Sequence, residues 1–212
     1  MTYCTDTDLL HWEPNLFNDY AIASQKLLGG TGDLAGTSFT IDSGSLNDAH
    51  VQQGQVIVLT GGTTGTYPIV SVDSDTELTI SVLYDALFPL SGSPDPSPVG
   101  TAADLTFTIC TFSPQAKVVS EELLRAAGLA AADADQILNP TDLRRACAAG
   151  ALAMIFRALA VGEDRIELTD KAGQYERLYQ RASRSIVLEL DFDEDGEIDE
   201  RRALYVVELQ RL

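Results

Sequence analysis

Tyr67–Val82 reads YPIVSVDSDTELTISV. Val70 and Val72 alternate on one side of the stretch, and Leu78, Ile80 and Val82 do so on the other. A period of two is the signature of a half-buried strand. Between the halves lies Asp73-Ser74-Asp75-Thr76, a run of turn formers. The stretch therefore reads as a β-hairpin. Phe39–Ile41, Gln55–Thr60 and Leu105–Phe112 are similar short runs of β-branched or aromatic residues, divided by Gly-rich or Asp/Ser turns. Leu90–Val99 carries Pro94, Pro96 and Pro98 after Pro89 and reads as an exposed loop. Five short strands predict a small antiparallel β-barrel or sandwich over residues 31–116.

On either side the period changes to that of a helix. Leu16, Phe17, Tyr20, Ala21, Leu27 and Leu28 predict a helix of about four turns from Pro14, stopped by Gly29–Gly30. Beyond the β module, Ser120 followed by Glu121 and Glu122 reads as a helix start, and Gly128 as a break or bend. Asn139, Pro140 and Asp142 open a second helix through Leu143–Val161, whose middle, Ala146 to Ala151, consists of small side chains. Thr169–Asp170 opens a third, with Tyr175, Leu178, Tyr179, Ala182 and Ile186 on one stripe. Ala203–Val207 is a strand-like apolar segment near the C-terminus. The fold class predicted is α+β: a helical bundle with an inserted small antiparallel β-barrel or sandwich and an extended C-terminal arm. Residues 1–30 are read as the N-terminal helical part of the bundle and 31–116 as the inserted module. Residues 117–190 are read as the bundle core, and 191–212 as an acidic turn and arm.

The charge divides at the same boundary. Of 14 Lys+Arg and 32 Asp+Glu, giving a net charge of −18, residues 1–116 hold one cation, Lys26, and thirteen acids. Such a chain lacks the clustered cations that nucleic-acid binding needs. No apolar run approaches the ~20 residues of a membrane span, so no membrane partner is expected. MTYCTDTDLLHWEPN carries neither the basic region nor the apolar stretch of a signal peptide. Cys4, Cys110 and Cys147 are an odd number without CxxC spacing, which fits neither a disulfide framework nor a zinc site. Cys147, in an Ala-rich helix, reads as a small buried hydrophobe. Two histidines, His11 and His50, leave little for acid–base chemistry, and no pair among the many acids singles itself out as catalytic. No enzyme is expected.

One acidic cluster has internal order. In DFDEDGEIDE, Asp191, Asp193, Asp195 and Gly196 match the first half of a calcium loop, with Glu197 placed to offer its carbonyl and Asp199 at the ninth position. The twelfth position, where a bidentate carboxylate belongs, is Arg202. Calcium or another hard cation is one reading. The other is an acidic turn that ends the helix and launches the last strand. The Gly-rich stretches at 29–32 and 61–65 lack the GKS/GKT ending of a phosphate loop and read as turns. Arg144, Arg145, Arg177, Arg181 and Arg184, set against the acidic N-terminal half, favour head-to-tail contacts between copies, which close into a ring if the rotation allows.

NPTDLRRACAAGALAMIFRAL at 139–159, then KAGQYERLYQRASRSIVLELDFDEDGEID at 171–199, place a small-residue helix, a short link, a helix opening KA..Y...Y and an aspartate-rich turn in succession. This succession resembles the head–tail adaptor (connector) proteins of long-tailed bacteriophages, as does TDTDLLHWEPNLF near the N-terminus. The resemblance implies a structural virion protein, a dodecameric ring between the portal protein and the stopper or tail completion proteins. It also implies assembly in the bacterial host cytoplasm, location at the virion head–tail junction, and DNA passing through without specific binding. The arm that docks on the portal corresponds to about Asp199–Leu212, with Leu204, Tyr205, Val206, Val207, Leu209 and Leu212 as partner-binding residues that order on docking. The β module is no part of the minimal adaptor. A competing class is a calcium-dependent binding module, secreted or surface-exposed, in which the β domain grips a ligand and the loop at 191–199 holds the ion.

Overall fold

The computed structural model describes residues 2–20, 22–82, 95–161, 166–193 and 195–204. The chain is mixed α and β and divides into two compact units, Thr5–Phe112 and Met1–Cys4 with Ser113–Leu212.

The first unit is a closed six-stranded antiparallel barrel. Its strands are β1 (Lys26–Gly36), β2 (Ser38–Ile41), β3 (Val56–Thr60), β4 (Gly65–Val72), β5 (Glu77–Ile80) and β6 (Gly100–Cys110). They run in the order β1-β2-β5-β4-β3-β6, and β6 closes the barrel by pairing with both β1 and β3. The β4–β5 hairpin forms as expected, with Val72 opposite Leu78 and Asp73–Thr76 as its turn, but a bulge between Ile69 and Ser71 puts Ile69 rather than Val70 in the core, opposite Ile80. Closure leaves no sheet edge and gives the inward side chains one core. Leu34, Phe39, Ile57, Leu78, Phe107 and Ile109 are all buried there, and the rings of Phe39 and Phe107 meet edge-on at 5.4 Å. Residues 83–94, which include Pro89 and the first half of the Pro-rich loop, lie outside the described residues; 95–99 have no regular structure.

β1 corrects the expected long helix over Pro14–Leu28. The segment instead forms α1 (Asp6–Trp12), a single turn α2 (Leu16–Asp19) and a 3-10 turn (Ala23–Gln25) before the strand begins. Gly29-Gly30 lie within β1 rather than ending a helix. Leu27 and Leu28 fit a strand once β6 supplies a partner along the whole of β1. A Cβ at Gly32 would collide with the Thr40 carbonyl and come within 2.9 Å of the Phe39 ring, so glycine there is a condition of β1 approaching β2.

α1 and α2 pack on β3 and β4 of the barrel, burying Leu9, Leu10, Leu16 and Phe17. Residues 5–30, expected in the helical bundle, therefore belong to the barrel unit. A capping box starts α1: Thr5 N–H donates to Asp8 Oδ2 at 2.8 Å. The Thr7 N–H and hydroxyl both donate to the Gly54 carbonyl, at 3.0 and 3.1 Å.

The second unit holds α3 (Ser113–Ala126), α4 (Thr141–Val161), α5 (Ile166–Arg184) and the two-stranded sheet β7 (Val187–Leu190) with β8 (Glu200–Ala203). α3 begins seven residues before Ser120, which sits buried inside it and donates to the Ala116 carbonyl at 2.8 Å instead of capping. Gly128 has φ +72° and ends α3 in a Schellman turn, Leu129 N–H donating to the Leu124 carbonyl at 2.9 Å. α4 is buried almost all round, from Leu143 through Phe156, because it packs against both α3 and α5. A Cβ at Gly150 would lie 2.7 Å from Val119 Cγ1 and 3.1 Å from Tyr179 Cδ2. The small residues let all three helices meet at that level. Asn139 stitches the start of α4 to β7 rather than capping the helix: its Oδ1 accepts from Glu189 N–H at 2.9 Å, and its Nδ2 donates to the Val187 carbonyl at 2.9 Å.

Candidate functional site

The β7–β8 hairpin carries the acidic loop. β7 and β8 pair in register, Leu190 opposite Glu200, so the intervening residues must turn the chain back on itself. Gly196, at φ +83°, supplies the left-handed step, and its N–H donates to Asp191 Oδ2 at 2.8 Å. Asp199 Oδ2 accepts from Phe192 N–H at 2.7 Å, and Asp195 Oδ1 accepts from Glu197 N–H at 2.7 Å. Asp191 is buried, whereas Asp193 and Asp195 are exposed, and the three offer carboxylate oxygens within 4.8 Å of one another. That is a spacing a hard cation accepts. Two of the three, Asp191 and Asp195, also accept from the backbone of the turn, which is what an Asp-rich turn does without an ion. Glu197 and Asp199 lie in the loop but outside this trio.

Arg202, at the twelfth position, is turned to another task. Its Nη1 donates to the Ala127 carbonyl at the end of α3 (2.8 Å), while Nε and Nη2 grip Glu200 at 3.0 and 2.9 Å. The pairing lowers the Glu200 pKa and raises that of Arg202. The guanidinium thus fastens β8 to the α3 terminus, where a calcium loop would present its bidentate ligand.

The first residues of the expected C-terminal arm are folded into the unit. Glu200–Ala203 is a paired strand, and Leu204 is buried, donating its N–H to the Ile186 carbonyl at 3.2 Å. Leu204 is thus spent on the unit's own packing instead of waiting for a partner. Tyr205, Val206, Val207, Leu209 and Leu212 lie outside the described residues. Beside Leu204 a groove of about 630 Å³ runs along α5, lined by Glu176, Tyr179, Gln180, Ser183, Arg184 and Ala203.

Arg144, Arg145, Arg177, Arg181 and Arg184 are all exposed, on α4 and α5. Tyr175 is held against the body of the unit by stacking on Phe156 at 5.8 Å, with the Lys171 ammonium 4.9 Å from the Phe156 ring. The Gly-rich stretches are strand and turn: the first lies in β1, and in the second Thr64 Oγ1 meets both the N–H and the carbonyl of Gly61 at 3.3 Å.

Two buried groups had no local signal in the sequence. In the barrel unit Asp6 is almost fully buried, accepting from Thr111 Oγ1 at 2.6 Å and Phe112 N–H at 2.8 Å. Burial pushes its pKa up to about 6; the two hydrogen bonds oppose the shift and the nearby Asp8 charge adds to it. In the helical unit Cys4 and Cys147 bring their sulfurs to 2.7 Å, beside Ser120. Among the described residues no helix is long and apolar enough to cross a membrane. No protein family matches the chain, and no curated protein or solved structure does so either.

Proposed function

We propose that the chain is a head–tail adaptor of a long-tailed bacteriophage. In this reading copies of it form a dodecameric ring between the portal protein and the stopper or tail completion proteins, around the channel through which DNA passes. The observation that carries the proposal is the build of the helical unit. A small-residue helix, α4, is clasped by α3 and α5, and an aspartate-rich hairpin follows α5 and leads in sequence to residues 205–212, of which Tyr205, Val206, Val207, Leu209 and Leu212 are apolar or aromatic. The role is structural, without catalytic residues or a resident cofactor, and the acidic loop acts as the turn that aims the arm.

Other features fit the same role. The exposed arginines of α4 and α5, in a chain of net charge −18, give each copy a basic face to set against an acidic one. The excess of acids lets duplex DNA slide past instead of adhering. The barrel is an addition to the adaptor plan, presented to a further neighbour in the virion. The protein is accordingly assigned to the head–tail junction, assembled in the host cytoplasm.

The arm is the part to test. Because Leu204 belongs to the folded unit, the truncation begins after it. Removing residues 205–212 leaves the melting temperature unchanged and abolishes co-sedimentation with the portal protein of the same phage. Undiminished co-sedimentation of the truncated chain overturns the arm assignment.

A further inference from the structure

The three cysteines are buried and in the thiol form, and two of them face each other. Cys4 Sγ lies 2.7 Å from Cys147 Sγ, although 143 positions separate them in the chain. The contact is held from both sides. Tyr3 N–H donates to Ser120 Oγ at 3.0 Å, which anchors the N-terminal segment on α3. Cys147, in the middle of α4, has Ser120 Oγ at 3.4 Å and the Ala116 carbonyl at 3.6 Å. Only a short movement separates this contact from a sulfur–sulfur bond of about 2.05 Å.

We propose that Cys4 and Cys147 are an oxidisable dithiol, a modification site whose disulfide locks the N-terminal segment onto α4. The Cys4 thiol facing it lowers the Cys147 pKa; burial opposes this, and Ser120 with the Cys4 and Tyr3 backbone adds to the lowering. The geometry leaves either sulfur able to open the reaction, and Cys147 is taken as the attacking one. Cys110, in the barrel unit, is the opposite case: burial raises its pKa, against the pull of Lys26.

Burial restricts the oxidant to a small uncharged one, and hydrogen peroxide is the class that fits. The Cys147 thiolate attacks one peroxide oxygen, forming an S–O bond as the O–O bond breaks, and the departing hydroxide takes a proton to become water. The Cys4 sulfur then attacks the Cys147 sulfenic acid, forming the S–S bond, and its proton leaves with the hydroxyl as a second water. Two thiols and one peroxide give one disulfide and two waters. The loop so closed contains the entire barrel unit, Thr5–Phe112. A closure of that length constrains the unfolded chain strongly. The inference rests on no part of the adaptor reading.

The test uses the full chain, treated with hydrogen peroxide and compared with a dithiothreitol-reduced sample. The proposal expects titratable thiols in denaturant to fall from three to one, with a peptide joining Cys4 to Cys147 in the non-reduced digest. The oxidised chain should melt several degrees higher, the gain being reversed by dithiothreitol. Cys110→Ser should keep both the linkage and the melting shift. Cys4→Ser should lose both and leave a Cys147 sulfenic acid that dimedone traps. A thiol count that stays at three, a linkage through Cys110, or sulfinic acid at Cys147 without the linked peptide would overturn the proposal. Because the wild-type chain and Cys110→Ser carry the decisive readouts, the test does not depend on Cys4→Ser folding.

Discussion

Asp6 is a carboxyl group whose burial disfavours its charge more than its two hydrogen bonds favour it. Its hydrogen bonds from Thr111 and the Phe112 amide join the start of α1 to the end of β6, so it is structural glue for the barrel unit. The folded state holds this proton more tightly than the unfolded chain does, because the pKa rises from 3.8 to about 6. The stability it contributes is therefore fully present below about pH 4 and lost as pH rises through about 6. The displacement corresponds to about 3 kcal/mol between the two protonation states. Asp6→Asn keeps an oxygen for the Phe112 amide and offers Thr111 an N–H, but it cannot ionise. Urea unfolding across pH should show the variant gaining on the wild type by about 2 kcal/mol between pH 4.5 and 7.5. A difference that does not change with pH would contradict the role assigned to burial. Nothing in the string DTDLLHW reveals this. Asp6 looks there like any acid in a first helical turn, and only β6, about a hundred residues on, makes it buried.

At the scale of elements, what could be read locally is what depends on neighbours in sequence. The β4–β5 hairpin was legible because alternation and turn chemistry sit in one window, and α4 because Pro140 and Asp142 open a long apolar run. β1 was not, because Leu27-Leu28-Gly29-Gly30 is as good a helix ending as it is a strand; its long pairing with β6 decides the matter. The acidic loop was visible as a spacing of aspartates, yet the task of Arg202 became clear only when the α3 terminus came alongside. The Cys4–Cys147 contact had no signal at all, since no window spans both. Glycines carry a related lesson, and two helical ones give opposite expectations. Gly150→Val must drive side-chain atoms into Val119 and Tyr179, and should lower stability by about 1–3 kcal/mol. Gly173→Ala meets nothing closer than the Arg177 guanidinium at 3.7 Å and should raise it by up to about 1 kcal/mol. Thermal melts of the two variants check the pair, and equal effects would mean that the three helices do not meet closely at Gly150.

At the scale of the whole molecule, two units share one chain with a lopsided charge. The barrel lies between Cys4 and Ser113, so the helical unit is discontinuous in sequence. The helical unit keeps the exposed arginines together with the hairpin that leads to residues 205–212. In the proposed reading the arginines would meet neighbouring copies and residues 205–212 another protein, which is the division of labour that a ring between two larger assemblies requires. The most direct measurement of that claim is electron microscopy of the purified chain mixed with the portal protein of the same phage. The account predicts a ring of twelve copies stacked coaxially on the portal. Portal particles bare of any added ring, with the chain remaining monomeric beside them, would contradict it.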